Sequence, residues 1–478
     1  MLETGRRQVN RSLVKQLRAL VGKENVLDAD EDLLLYGYDA TPAGPVTAPE
    51  AVVLPGDAEQ VAAVVCLANE AGLPLVARGA GTGLTGGARP LRGGLVLSTQ
   101  RLNRVITIDE ENLQAVVQPG VVTEQLQQQV EARGLFYPPD PQSRATCTIG
   151  GNLAENAGGP RALKYGVTRT HVLAAEVVLP QGQLVRLGAR TVKSVAGYDL
   201  LSLLVGSEGT LGVFTEATLR LLPLPPARHT LLAVFAELEP AARAVVEVMR
   251  AGILPSAVEF MDGAALRCVE QYEPCGLPDS AQALLIVEVD GGPAQVAEDA
   301  AAVDRVLRRA GAVEVRLARD DAQAADLWRA RRSAGPALAR IAPLKVNEDI
   351  VVPLSQLPRA VTGIQDLAAE YDSRCAIFGH AGDGNLHVNF MADPSRPEEV
   401  TRVEEAVARM FELVVSLGGS ITGEHGVGTT KQAFLGLEVP AAVMDVMRRI
   451  KRELDPAGIM NPGKIFPLTE NDARAKDE

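Results

Sequence analysis

The sequence predicts an α+β fold of more than one domain, and three observations carry that expectation. Helical and strand patterns alternate along most of the 478 residues. Three glycine-dense blocks interrupt the first half, at 78–87, 138–166 and 205–215. A stretch at 221–226, LLPLPP, then marks a boundary, and a second half with longer, alanine-rich helices follows it.

The elements follow in order. Leu13, Val14, Leu17, Leu20 and Val21 recur with a helical period near the N-terminus, where no apolar core of signal-peptide length is seen. A strand at 51–55, a helix at 58–71 capped by Asp57, and a strand at 73–77 form one unit; Val61, Val64, Val65 and Ala68 make the helix's apolar face. Strands are predicted at 95–98, 105–108, 115–117, 172–179 and 212–222, with a helix at 123–133. In the second half, helices at 239–250, 294–310 and 397–417 alternate with strands at 283–289, 312–317, 346–353, 375–378 and 386–390. The turn-rich tail 454–466, LDPAGIMNPGKIF, is expected to return to the first half, and the polar 470–478 to fray. The expected divisions are 1–45, 46–225, 226–440 and 441–478.

Net charge is −13, which excludes nucleic acid as the main partner, because phosphate backbones need a basic footprint. A small anionic substrate needs only a few local cations. Cys66, Cys147, Cys268, Cys275 and Cys375 form no C-x-x-C pair and no iron–sulfur spacing, which fits reduced thiols in the cytoplasm. No apolar run approaches the ~20 residues of a membrane span.

The first glycine loop, RGAGTGLTGG, contains the bare G-x-G-x-x-G pattern at Gly81, Gly83 and Gly86. A Rossmann reading fails, because that fingerprint needs a helix to start at the loop, and ARPLRGG cannot start one. Five glycines at 79, 81, 83, 86 and 87 expose many backbone N–H groups at little steric cost, so the loop can wrap a diphosphate with amides alone. The segments TCTIGGNLAENAGG and VGSEGTLGVFT repeat that chemistry. Together the three point to one extended, phosphate-bearing cofactor.

Three of the five histidines fall in two motifs, HAGDGNLHVN at 380–389 and GGSITGEHGVG at 418–428. A glycine turn can bring His380 and His387 to one point. With Glu424 they make a two-histidine, one-carboxylate set for a first-row metal with open positions. His425 is next to Glu424 in the chain, and such neighbours usually point different ways, so one can ligate while the other works as a base. Zinc hydrolysis remains open from this cluster alone, although no H-E-x-x-H is present.

These blocks resemble the FAD-binding domain of vanillyl-alcohol-oxidase-type flavoproteins, and within it the branch of D-2-hydroxy-acid dehydrogenases that includes the glycolate oxidase flavin subunit, D-lactate dehydrogenase and D-2-hydroxyglutarate dehydrogenase. The likeness spans roughly residues 40–466. It implies a two-part FAD-binding domain at 46–225, an α+β substrate-binding cap at 226–440 and a C-terminal segment packing back on the FAD domain. It implies that Arg78, Gly79, Ala80, Gly81, Thr82, Gly83, Gly86 and Gly87 lie along the pyrophosphate. Pro139, Asp140, Ser143, Gly150, Gly151, Asn156, Gly158, Glu208, Gly209, Gly212 and Asn461 would complete the FAD site. The first loop has no His or Cys, so the FAD is expected to be non-covalent. By the same resemblance His380, His387 and Glu424 bind a divalent metal, zinc being the first choice. Asn389 and His425 contact the substrate, with His425 as general base.

The implied substrate is a small 2-hydroxy acid, oxidised to the 2-oxo acid by metal-assisted hydride transfer to flavin. Its carboxylate needs a cation, and likeness to the family's W-x-x-R pattern, here starting at Trp328, implies Arg331, with Lys345 near the position of a substrate lysine in the hydroxyglutarate branch. Where the hydroxyglutarate branch places a threonine four residues past the arginine, this chain has Gly335, which speaks against the five-carbon diacid. The electron acceptor is left open among a quinone, a cytochrome, an electron-transfer flavoprotein and an iron–sulfur subunit. A homodimer, and a peripheral place at a membrane through a partner, are allowed. The competing functions are a flavin-carrying electron-relay subunit and a metallohydrolase on this fold.

Overall fold

The computed structural model describes residues 11–467 apart from positions 43, 45, 275, 277, 279 and 341. The frayed tail expected at 470–478 lies outside the described residues, as does Cys275.

Apart from a two-stranded one, Leu135–Phe136 with Leu222–Pro223, the first half builds two main sheets. One runs in the order Val26–Leu27, Ala51–Val53, Leu95–Ser98 and Leu75–Arg78, with the last three strands parallel. Asp57 caps the helix Ala58–Glu70 by accepting from the Gln60 amide at 2.7 Å. Val61, Val64, Val65 and Ala68 pack on this sheet together with Leu17 of the first helix, Arg11–Val21. The second sheet is antiparallel, in the order Val105–Asp109, Gln114–Val117, Val213–Arg220, Val172–Val178 and Leu184–Gly188.

The second half is one seven-stranded antiparallel sheet. Its order is Glu314–Leu317, Ala227–Phe235, Ala283–Gly291, Ala257–Asp262, Arg374–Gly379, Asn385–Ala392 and Leu344–Val351. Helices cover both faces. Leu238–Arg250, Pro293–Arg309, Leu357–Glu370 and Pro397–Ser416 bury their apolar stripes against one face. Gly263–Tyr272 and Asp321–Leu338 cover the other. The sequence reading did not name these last two helices, nor Leu357–Glu370 and Ala441–Leu454. Asp321–Leu338 carries three arginines and Pro336, which blur its helical stripe.

The tail returns to the first half. Leu75 donates to the carbonyl of Ile459 at 2.8 Å and accepts from the Asn461 amide at 2.8 Å, so the tail pairs with the strand that leads into the first glycine loop.

The second glycine block is not all loop. Thr148 caps a short helix, Ile149–Glu155, which ends at Asn156 in the left-handed conformation (φ 54°). Gly150 is required there, because a Cβ would meet the Pro119 side chain at 2.6 Å. The turn signals of the block hid this helix, whose seven residues are too few to show a period.

Candidate active site

A cavity of about 710 Å³ opens between the glycine loops and the sheet of the second half. That volume lies in the range of small-molecule and cofactor sites. The first loop lines it through Arg78, Gly79, Ala80, Gly81, Thr82, Gly83 and Gly87, and runs on to the strand Leu95–Ser98 with no helix between. Ser143, Gly150, Gly151, Gly158, Glu208, Gly209 and Gly212 line it as well. Glu155, which the sequence reading missed, faces the same space.

Five residues expected at this cofactor wall stand behind it and hold the loops. Asn461 Nδ2 donates to the carbonyls of Gly87 at 2.8 Å and Glu208 at 2.7 Å, tying two glycine loops to the tail. Gly86 donates its amide to Thr41 Oγ1 at 2.7 Å. Asp140 is paired with Arg161 at 3.3 Å, and burial pushes its pKa up to about 6 in spite of that partner. The carbonyl of Pro139 accepts from Gln127 Nε2 at 2.9 Å, and Asn156 Oδ1 accepts from the Arg169 amide at 2.9 Å.

The opposite wall comes from the sheet. Register places Phe378, His387 and Asp349 side by side on three neighbouring strands, with Ala376, Asn389 and Asn347 in the next row. The two-residue period of a strand then puts Lys345, Asn347 and Asp349 on one face. Lys345, Asn347, Phe378, His387, Glu424 and His425 all line the cavity.

His380 reaches the same point from the end of its strand. The turn after it closes at Gly384, with φ 82°, where a Cβ would meet the carbonyl oxygen of Val352 at 2.1 Å, so only glycine fits. His380 Nε2 is 3.2 Å and His387 Nε2 3.5 Å from Glu424 Oε1. The two rings are edge-on, with centroids 5.2 Å apart. The donor atoms of His380, His387 and Glu424 all lie within 4.8 Å of one another, which suits a small divalent cation. Gly158 approaches this cluster so closely that a Cβ would lie 2.7 Å from Glu424 Oε2.

Two buried carboxylates complete the site. Glu259, in the largely apolar strand AVEFMD, takes His380 Nδ1 on Oε1 at 2.6 Å and Arg331 Nε on Oε2 at 2.5 Å. Burial opposes charging either group. The Glu259 and Glu424 carboxylates nevertheless outweigh burial at His380 and raise its pKa well above the usual histidine range. Equally, His380 and Arg331 outweigh burial at Glu259 and lower its pKa. A cation at His380 Nε2 meets the same electrostatic need as a proton there.

Asp349 accepts on Oδ2 from the amides of Gly423, Glu424 and His425 at 2.7, 2.8 and 3.0 Å. Burial raises its pKa, but His425, Lys431 and His387 outweigh that and hold it well below the carboxylate range. At His387 burial and the neighbouring His425 and His380 charges act together and lower the pKa well below the usual value.

Three expected residues are placed differently from a lining position. His380 is buried behind His387 and Glu424. Asn389 Nδ2 donates to the carbonyls of Ala376 and His387, at 3.3 and 3.1 Å, and its buried Oδ1 is without a hydrogen-bond partner among the described residues. Arg331 is 2% exposed; its Nε is taken by Glu259 and its guanidinium lies over the Phe378 ring at 4.7 Å, while Nη2 has no partner among the described residues. Its neighbour Arg332 lines the cavity, with Gly335 and Pro336 of the same helix.

Three glycine loops facing a cap sheet across one cavity define a flavoprotein of the vanillyl-alcohol-oxidase type. The chain belongs to the FAD-linked oxidase family: residues 49–188 match the FAD binding domain and 224–465 the C-terminal domain of FAD linked oxidases. It is 44% identical over 458 residues to the glycolate oxidase subunit GlcD of Bacillus subtilis, covering 96% of this chain and 97% of the relative. It is 37% identical over 457 residues to the D-lactate dehydrogenase of Anaerostipes hadrus, covering 94% of each. Among solved structures, p-cresol methylhydroxylase with substrate bound superposes with a TM-score of 0.80 at 21% identity, over 96% of this chain and 97% of that one. The 4-ethylphenol oxidase of Gulosibacter chungangensis gives 0.76 at 19%, over 95% and 97%. These two show the fold. The chain is thus an FAD-linked oxidoreductase, and no helix among its described residues is long and apolar enough to cross a membrane.

Proposed function

We propose that this protein oxidises a small D-2-hydroxy acid of the lactate or glycolate class to the 2-oxo acid, with non-covalent FAD as hydride acceptor and a divalent metal, zinc first, at His380, His387 and Glu424. The carrying observation is that His387, Glu424 and His425, with His380 buried behind them, stand on the cap-side wall of the cavity whose other wall is the glycine loops. The relatives named glycolate oxidase subunit and D-lactate dehydrogenase support the substrate class.

Each residue has a defined part. Arg332 and Lys345 line the cavity and attract the substrate carboxylate, with Arg331 held behind them and its Nη2 free of protein partners among the described residues. Asn347 lines the cavity and offers a neutral polar contact beside them, with Asn389 buried in the same row outside the lining. The metal, when bound, supplies a positive charge that makes the 2-hydroxyl more acidic. His425 takes that proton on its imidazole. Its backbone is fixed at both ends: the amide donates to Asp349, and the carbonyl accepts from Thr85 Oγ1 of the first glycine loop at 3.1 Å. The base is therefore pinned between cofactor wall and cap. FAD supplies the redox chemistry, and the protein supplies alignment. Gly335 lines the cavity where a Cβ would meet open space, which leaves room for a small acid and provides no hydroxyl for a second carboxylate. The electrons then pass to a separate acceptor, in the class of a quinone, a cytochrome, an electron-transfer flavoprotein or an iron–sulfur subunit; the word subunit in the GlcD name supports a partner.

Anaerobic bleaching of the flavin tests this reading. D-lactate or glycolate is expected to abolish the oxidised-flavin band, L-lactate to leave it, and a chelator to block the effect. A yellow protein that no hydroxy acid bleaches overturns the substrate class.

A further inference from the structure

The two histidines of the cluster share an arrangement that the sequence motifs do not contain. Each presents Nε2 toward Glu424, and each turns Nδ1 toward a fully buried carboxylate from another strand. For His380 that carboxylate is Glu259, at 2.6 Å from Nδ1. For His387 it is Asp349, its neighbour in strand register, whose Oδ1 lies 3.6 Å from Nδ1, close enough for charge attraction but beyond a hydrogen bond, so that Nδ1 has no hydrogen-bond partner among the described residues.

The chemistry of imidazole makes this decisive. A neutral ring has one N–H and one lone pair, and the hydrogen bond made by one nitrogen sets which is which. A carboxylate at Nδ1 keeps the proton there and leaves the Nε2 lone pair for a cation. With the opposite tautomer Nε2 becomes a donor and holds no metal. Ligating histidines generally donate their other N–H to such a partner, and losing it weakens metal binding by about 10–100-fold.

Neither carboxylate is free to move. Glu259 is held by Arg331 Nε on its second oxygen. Asp349 Oδ1 accepts from Asn385 Nδ2 at 2.5 Å, while Oδ2 takes the amides of 423–425 and the Thr422 hydroxyl at 3.1 Å. Asp349 therefore fixes the backbone of the carboxylate ligand and that of His425 together, and places its charge beside His387 Nδ1.

We propose that Glu259 and Asp349 are positioning residues that favour the Nδ1–H tautomers of His380 and His387, Glu259 through its 2.6 Å hydrogen bond and Asp349 through its charge 3.6 Å from Nδ1, so that both present an Nε2 lone pair to one cation beside Glu424. The inference rests on the metal reading given above. It adds that Glu259 joins the metal cluster to Arg331, so metal and carboxylate recognition share one buried anion.

Competition between the protein and a chromophoric chelator for Zn²⁺ tests it, on the parent, Glu259→Gln and Asp349→Asn, each purified with FAD and checked by its visible flavin circular dichroism. The parent is expected to take up one Zn²⁺ at the cluster, and each variant to bind it about 10–100-fold more weakly with its flavin retained. Parent-like Zn²⁺ affinity in a variant that keeps its flavin overturns the proposal for that carboxylate. Loss of flavin from both variants also counts against it, since the pair would then maintain the fold and not the tautomers. A parent that takes up no Zn²⁺ overturns the metal reading itself, a different result from a parent that binds and variants that match it.

Discussion

His425 lies flat against His387, with ring centroids 5.1 Å apart and planes within 3°. Stacked imidazoles disfavour a shared positive charge, and burial first, then the neighbouring imidazoles, lowers the pKa of His387 well below the usual histidine range. A neutral His387 suits a ligand, and the exposed side of the pair is left to proton transfer. His425→Ala is therefore expected to slow flavin reduction by about 10²–10⁴-fold, the usual worth of general-base catalysis. Zn²⁺ uptake and flavin content stay near the parent's. Stopped-flow flavin bleaching beside metal analysis checks this, and parallel loss of metal would assign His425 to the ligand set instead.

Lys345 faces the cavity, and burial lowers its pKa from the usual lysine value. Its charge is present below that lowered pKa and disappears as pH rises through it. KM for the hydroxy acid is expected to climb with alkaline pH sooner than an ordinary lysine would dictate. Lys345→Met should raise KM at neutral pH about tenfold or more and abolish that climb, and Lys345→Arg should move it to higher pH. A pH series of KM on the three proteins decides the matter.

Gly335 borders the cavity on a helix, with open space where a side chain would grow. Gly335→Val should fill part of the substrate pocket while leaving the fold intact. One methylene shifts preference by ~1–3 kcal/mol, so the ratio of kcat/KM for glycolate over D-lactate is expected to rise about tenfold. An unchanged ratio in a folded variant would mean that the substrate methyl lies elsewhere.

Glu155 and Glu208 face each other across Gly426, whose added Cβ would touch Glu155 Oε2 at 2.5 Å and Glu208 Oε1 at 3.0 Å. Glu208 takes the amides of Val427 and Gly428 at 2.8 and 2.7 Å, so it is the better anion of the two. Burial first, then Glu208 and Asp39, push the Glu155 pKa well above the carboxylate range. A folded-state pKa above the unfolded value favours folding below the unfolded pKa, and that support is lost as pH rises through the folded pKa. Glu155→Gln, a neutral isostere, should raise the Tm of the FAD-free protein at pH 8 and leave it nearly unchanged near pH 4. Thermal melts at both pH values check the sign.

Much of the site was legible in the residues themselves. ARPLRGG after the first glycine loop could not start a helix, and it does not. HAGDGNLHVN signalled a turn bringing two histidines together, and Gly384 closes that turn. Arg331 is assigned to the substrate carboxylate through the family resemblance; only the structure shows its Nε committed to Glu259 and Arg332 lining the cavity.

The sequence by itself determined what depends on near neighbours: glycine loops, strand and helix periods, the turn between His380 and His387, and the adjacency of Glu424 and His425. These follow from backbone sterics and side-chain direction over a few residues. Only the tertiary structure decided the partners of those side chains. Glu259 meets His380 across 121 residues, and Asp349 meets His425 across 76. Both meetings depend on a sheet whose strand order is not the chain order, and on a register in which a slip of one residue would turn each carboxylate to the other face. A lone Glu in AVEFMD or an Asp in VNEDIV carries no local mark of that register, because the energy that fixes it comes from packing the whole sheet between its two layers of helices.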